Sequence, residues 1–168
     1  MSATENRFGV LFVCSGNICR SPLAEGIFTH LAEKAGLIGR FTIDSAGIGG
    51  WHVGQPPDNR AVATAKKHGI DISRQKARRL KPNDFTAFDL VLAMDRGHMG
   101  ELRRLAPHSA NIHLFGDLAL ETGEDIQEPY YGDLEDFELV YTRLLSGCRK
   151  LLEDAPTLSR NGKISSVR

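Results

Sequence analysis

An excess of one charge sign is missing from this sequence. Lys plus Arg and Asp plus Glu both number 21 in 168 residues, a formal net charge of zero, so no bulk field draws the chain to nucleic acid or a membrane surface. Any recognition of an anion must be local. Long hydrophobic runs are missing too. The apolar run near the start, Val10 to Val13, is far too short to span a bilayer or form a signal-peptide core, and the residues before it are polar without a basic cluster. A cytosolic protein with no nucleic-acid and no membrane partner is the expectation. Cysteine is sparse: Cys14, Cys19 and Cys148 are an odd set, which argues against a disulfide scaffold and for a reducing compartment. A cysteine pair with no second pair, and no histidine at finger spacing, does not make a zinc site.

What is present is an alternation of strand and helix patterns. Apolar residues make up 41% of the chain, enough for a two- or three-layer core in one domain. Phe8 to Val13 is a continuous apolar run, as expected of a strand buried on both faces. Ser21 and Pro22 then suit the N-cap and first position of a helix whose apolar residues recur to Ala35 and which Gly36 stops. Strands are predicted at Phe41 to Ile43, Leu90 to Met94 and Ile112 to Phe115. Helices are predicted at Asn59 to His68 and around Met99 to Leu105, with no clear structure from Gly116 to Gly132. In a last helix Phe137, Val140, Tyr141, Leu144, Leu145, Cys148, Leu151 and Leu152 share one face, which makes Cys148 a buried packing residue. This is an α/β pattern: a parallel sheet covered on both sides, with ligands expected beyond the carboxyl ends of its strands. The domain is expected over residues 1–155, and the polar stretch 156–168 as a disordered tail.

The segment Cys14-Ser15-Gly16-Asn17-Ile18-Cys19-Arg20-Ser21 lies at such a strand end and opens the first helix. Backbone N–H groups of a tight loop and of a helix N-terminus converge there on one point, a nest for an anion, and the helix dipole adds positive charge. Gly16 and Asn17 most readily take the left-handed conformations that such a loop needs. The same field stabilises the thiolate of Cys14 as a nucleophile. Arg20 closes the loop, and its planar fork suits two phosphoryl oxygens at once. The chemistry implied is phosphoryl transfer to sulfur followed by hydrolysis. The glycine-lysine pattern of nucleotide-binding loops is absent.

The segment VLFVCSGNICRSPLAE, with DSAGIGGWHVGQPPD from Asp44, LVLAMD ending at Asp95 and EPYYG from Glu128, resembles the low-molecular-weight protein tyrosine phosphatases over about Phe8 to Leu152. The resemblance implies a single-domain three-layer sandwich on a short, twisted, four-stranded parallel sheet, with the anion-binding loop after the first strand. It implies Cys14 as nucleophile and Arg20 as phosphate clamp, with Ser15, Gly16, Asn17, Ile18 and Cys19 completing the phosphate-binding loop. Asn17 and Ser21 would hold the loop and tune the thiolate. Ser45 would support Asn17, although from sequence alone it could equally cap a turn. Ile18, Trp51, Tyr130 and Tyr131 would wall a slot for a phenyl ring, Trp51 having a core position as its alternative. The two tyrosines are also phosphorylation targets by analogy. The implied partner is a phosphotyrosine-containing protein, with inorganic phosphate or similar oxyanions as product or inhibitor. No metal or organic cofactor is implied, and the state is a monomer or weak dimer.

Three features depart from that resemblance or extend it. The proton donor to the leaving phenolate is an Asp before Pro-Tyr-Tyr-Gly in the family, and here it is Glu128, with Asp125 and Asp133 as substitutes not followed by Pro. Arg74 stands where relatives carry a loop-supporting His. Cys19, if it reaches Cys14, can form a reversible disulfide that shields the nucleophile, or else is only a small loop residue. Other functions use the same scaffold: a non-catalytic phosphopeptide-binding module, a phosphoarginine phosphatase, or an arsenate reductase. The last needs a relay of further cysteines, and only Cys148 lies downstream. Ile18, where phosphoarginine enzymes prefer Thr, favours phosphotyrosine.

Overall fold

Strand β1 (Phe8–Cys14) is buried at every residue because both its faces are covered. The computed structural model describes residues 7–154, so the expected tail lies outside the described residues. In chain order there follow α1 (Arg20–Lys34), β2 (Phe41–Gly47), α2 (Asn59–Lys67), the single turn α3 (Asp84–Ala87), β3 (Leu90–Ala93), α4 (Arg96–Leu105), β4 (Ile112–Leu114), the short α5 (Phe115–Leu118) and α6 (Leu134–Glu153). The strands form one four-stranded sheet in the order β2-β1-β3-β4, every pair parallel. Side chains alternate across it. Val10, Phe12, Leu90 and Leu92 pack with Leu23, Phe28, Phe137 and Leu144 on one side; Leu11, Val13, Val91 and Ala93 pack with Phe85 and Leu102 on the other. The result is the expected three-layer α/β sandwich. Phe28 meets Phe12 and Phe41 edge-on, with ring centroids 6.1 and 5.1 Å apart, and burying each such ring is worth roughly 1.5–3 kcal/mol. Cys148 is fully buried in this layer. Among the described residues no helix is long and apolar enough to cross a membrane.

The observed boundaries differ from the predicted ones where polar residues serve the loop end of the sheet. Helix α1 begins at Arg20, and no side chain caps it; Ser21, predicted as its N-cap, lies inside the first turn and bonds elsewhere. Strand β2 runs to Gly47, past the predicted stop at Asp44-Ser45. Gly47 has to be glycine, since a Cβ there would lie 2.9 Å from the carbonyl carbon of Gly16. Helix α4 starts at Arg96, ahead of the apolar pattern that predicted it, because Asp95 caps it by accepting from the N–H of His98 at 3.0 Å. The stretch predicted to be without structure opens with α5 and is pinned at Ile126, which is fully buried and whose N–H bonds the Met94 carbonyl at 2.9 Å.

The extra length of β2 brings Ser45 against α1, where its hydroxyl donates to Glu25 Oε1 at 2.6 Å. Burial raises the Glu25 pKa to about 7; Asp44 pushes the same way, while the Ser45 bond and Arg78 oppose it. A carboxyl that holds its proton more tightly when folded lowers stability as pH rises from its unfolded value of about 4.3 through its folded one. Stability should therefore fall by about 1–3 kcal/mol between about pH 5 and pH 8, allowing for partial exposure. Glu25→Gln keeps the acceptor without the charge. Its thermal midpoint should match wild type near the acid end and exceed it by a few degrees at the alkaline end. A variant that retains the wild-type pH slope would show that another group sets it.

Candidate active site

The loop between β1 and α1 is held from behind by Asn17. This residue takes φ 61°, the left-handed region in which Asn is tolerated, and is 3% exposed. Its Nδ2 donates to Ser21 Oγ at 2.8 Å and Ser45 Oγ at 2.9 Å, and its Oδ1 accepts from the Arg78 N–H at 3.0 Å. Because Ser21 Oγ accepts a hydrogen bond from Asn17, its own proton is free to point at Cys14 Sγ, 3.0 Å away. The N–H of Ser21 lies 3.5 Å from the same sulfur. Two donors thus converge on Sγ from the first turn of α1. The chain of bonds continues from Asn17 through Ser45 to Glu25, so α1, β2 and the loop are tied together.

Arg20 is 1% exposed. Its Nη1 donates to Asp95 Oδ2 at 2.9 Å and to the Ile126 carbonyl at 2.8 Å. Its Nη2 lies 3.0 Å from Glu128 Oε2 and 3.5 Å from Ser15 Oγ. Burial alone would ease the proton off, but Cys14, Glu128 and Asp95 outweigh it and hold the guanidinium charged. Arg20 Nε is buried with no hydrogen-bond partner among the described residues, an unsatisfied donor of the kind that calls for an explanation. Asp95 is partly desolvated, yet the Arg20 bond and the His98 N–H keep its carboxyl below the usual range. His98 links Asp95 to the loop: Nδ1 is 3.5 Å from Asp95 Oδ1, and Nε2 is 2.8 Å from Ser15 Oγ. Burial holds the His98 pKa down, against the pull of Asp95, so its neutral form is favoured.

Above the loop opens a cleft of about 360 Å³ lined by Cys14, Ser15, Gly16, Ile18, Cys19, Trp51, His52, Glu128, Tyr130 and Tyr131. The structure therefore brings the predicted loop, acid and aromatic residues to one place, with Arg20 and Asn17 behind. Trp51 and Tyr131 are 72% and 91% exposed, so neither is a core residue; Tyr130 and Tyr131 meet edge-on with centroids 5.0 Å apart. The substitutes for Glu128 are engaged elsewhere: Asp125 pairs with Arg96, and Asp133 caps α6. Arg74 is exposed, and the bond to Asn17 comes instead from the backbone of Arg78. Cys19 is buried and free, and burial pushes its thiol pKa well up, with Glu128, Asp58 and Cys14 adding to it.

Sequence reasoning missed His98, Asp58, Arg60 and Glu25. The one signal for His98 was its position three residues after Asp95, the spacing of an N-cap and its first turn. The others are ordinary polar residues of helices, and only tertiary packing brings them to the site.

Comparison with known proteins shows the family of the chain. The family model described as low molecular weight phosphotyrosine protein phosphatase matches residues 9–163, running into the stretch expected as a tail. The low molecular weight phosphotyrosine protein phosphatase of Schizosaccharomyces pombe is 43% identical over 148 residues, 86% of this chain and 94% of its own. The fold superposes on a protein tyrosine phosphatase from Entamoeba histolytica, crystallised with Hepes in its active site, with a TM-score of 0.84, 31% identity and coverage of 89% and 97% of the two chains. A Drosophila arginine phosphatase gives a TM-score of 0.79 at 34% identity, covering 86% of this chain and 95% of that one. The chain belongs to the low molecular weight phosphotyrosine protein phosphatase family.

Proposed function

We propose that this enzyme hydrolyses phosphotyrosine in proteins through a cysteinyl-phosphate intermediate on Cys14. The observation that carries the reading is the buried Arg20, charged and with Nε unpartnered, behind a thiol that faces two hydrogen-bond donors. A phosphoryl group seated in the loop would take up that free donor and the loop N–H groups. Cys14 Sγ attacks phosphorus, the S–P bond forms, and the P–O bond to tyrosine breaks as the Glu128 carboxyl passes its proton to the phenolate oxygen. Water then attacks phosphorus, Glu128 takes its proton, and Cys14 leaves as a thiolate steadied by the Ser21 hydroxyl. Arg20 follows the equatorial oxygens in both steps.

Glu128 begins on Arg20 Nη2, 3.0 Å away, so an incoming phosphate replaces it there. The displaced carboxylate takes up a proton, from solvent or from the phosphate monoanion, before it serves as the acid. Trp51, Tyr130 and Tyr131 rise around the cleft and fit an aryl ring better than a short phosphoserine chain. Ile18, also in the cleft, suits that ring and supports phosphotyrosine over phosphoarginine. Inorganic phosphate and related oxyanions are the expected inhibitors.

Kinetics on a phosphotyrosine peptide test the assignment. Cys14→Ser should abolish turnover, and Glu128→Gln should lower it on the order of a hundredfold or more. Glu128→Asp keeps an acid and should stay more active than Glu128→Gln, although displacing the proton by about 1 Å can itself cost on the order of a hundredfold. A wild-type protein that binds the peptide without releasing phosphate would be a recognition module, and a larger kcat/KM on a phosphoarginine peptide would reassign the substrate.

Cys19 shares the cleft with Cys14, and a disulfide between them would stop oxidation short of the irreversible acids. After peroxide, wild type should recover activity with thiol, whereas Cys19→Ser should recover only in part. Complete recovery of Cys19→Ser would leave that thiol no protective role.

A further inference from the structure

Of the segment that carries Glu128, residues 127–132 are exposed except for Pro129, and little of the core holds them. Ile126 anchors one side and α6 begins at Leu134 on the other. Between them Pro129 and Gly132 close a turn through the Gly132 N–H and the Pro129 carbonyl at 2.8 Å. The side chain of Arg60, from α2, reaches across to this turn. Arg60 Nη2 donates to the Tyr130 carbonyl at 2.8 Å, and Nη1 to the Gly132 carbonyl at 2.9 Å.

The other half of the same guanidinium is fixed to Asp58, the N-cap of α2. Asp58 Oδ1 accepts from Arg60 Nε at 3.0 Å, and Oδ2 from Nη2 at 2.9 Å. Asp58 in turn donates its backbone N–H to the Ile18 carbonyl at 2.8 Å, inside the phosphate loop. The guanidinium also stacks over Phe137 of α6, 4.6 Å from the ring centroid. A continuous link therefore runs from the loop that would hold the phosphate, through Asp58 and Arg60, to the turn just after Glu128.

We propose that Arg60 is a positioning residue that sets the Glu128 carboxyl against the phosphate loop, an inference that rests on the reading of Glu128 as the acid. Its planar fork is what the job requires. One face of donors grips a carboxylate while the remaining N–H groups meet two carbonyls in different directions, which a single ammonium cannot do. Loss of the fork frees the turn, and a shift of about 1 Å at a proton donor costs on the order of a hundredfold in rate.

A leaving-group series separates this role from a structural one. With the acid in place, protonation makes cleavage insensitive to how poor the phenol is as a leaving group. Without it, phenyl phosphate suffers far more than p-nitrophenyl phosphate, whose phenolate leaves unaided. In Arg60→Ala and Arg60→Lys, kcat/KM on phenyl phosphate should fall on the order of tenfold more than on p-nitrophenyl phosphate. The lysine variant keeps the charge, so a loss shared by both is one of geometry and not of attraction for the dianion. The rate of Cys14 alkylation by iodoacetate, which reads the loop itself, should stay near wild type. Arg60→Ala in a Glu128→Gln background should add little, because both changes remove one function. If Glu128→Gln steepens the dependence and neither Arg60 variant does, the Arg60 assignment is overturned alone. If Glu128→Gln leaves the dependence flat, the acid reading fails and takes this assignment with it.

Discussion

A full positive charge has been placed almost out of water at the end of this sheet, and the rest of the site answers to it. Arg20 is 1% exposed, and an isolated ion so desolvated would cost several kcal/mol without partners. Asp95, the Ile126 carbonyl and Glu128 supply them. Each comes from a segment that follows a strand end: Asp95 after β3, and Ile126 and Glu128 beyond β4 and α5. The parallel sheet therefore does more than carry the loop. By aligning the carboxyl ends of its strands it makes the anionic and carbonyl partners of Arg20 converge, and the cation in turn fixes where those connections run.

The same charge explains why so few groups in the site are free to move. Asp95 is held on one side by Arg20 and on another by its capping bond to His98, and the His98 ring passes the constraint to Ser15 beside the thiol. On the opposite side Asn17 distributes its amide over Ser21, Ser45 and Arg78, leaving the Ser21 hydroxyl proton for Cys14. These are buried polar networks in which the members reinforce one another, and a change to one is felt by several. The site is rigid around the sulfur and the clamp. It is open only at the aromatic rim and at Glu128.

The parts legible in the sequence were those whose physics is local. A buried strand, a glycine and an asparagine in a tight loop, and a cysteine and an arginine at its two ends declare an anion site because each residue type has few other reasons to be there. The four strands were legible in the same way, from apolar runs. What stayed hidden depends on partners far along the chain. Ser21 reads as a helix cap until Asn17 and Cys14 are seen to claim its hydroxyl. Asp44 and Ser45 read as the end of a strand because their polarity, which serves Arg78 and Glu25, looks like a turn. Arg74 sits at the position expected to support the loop, yet is exposed, while the backbone of Arg78 makes the bond. Arg60 resembles any surface arginine of a helix until its carbonyl partners, some seventy positions away, are known.

The glutamate at position 128 can be understood from the same balance of reach and charge. Its turn lies in a stretch of chain with little burial, so the carboxyl must find its own place, and one additional methylene lets it extend to Arg20 while its backbone stays with the turn that Arg60 holds. In that position the carboxylate screens the buried guanidinium in the absence of a phosphoryl group, and it is the one partner of Arg20 that can leave, since Asp95 is tied to α4 and Ile126 is fully buried. A phosphate that takes its place on Nη2 would free the carboxylate to take up the proton it then delivers. Binding and proton delivery are then coupled through one shared donor, and a longer acid side chain serves that exchange provided the turn behind it does not drift.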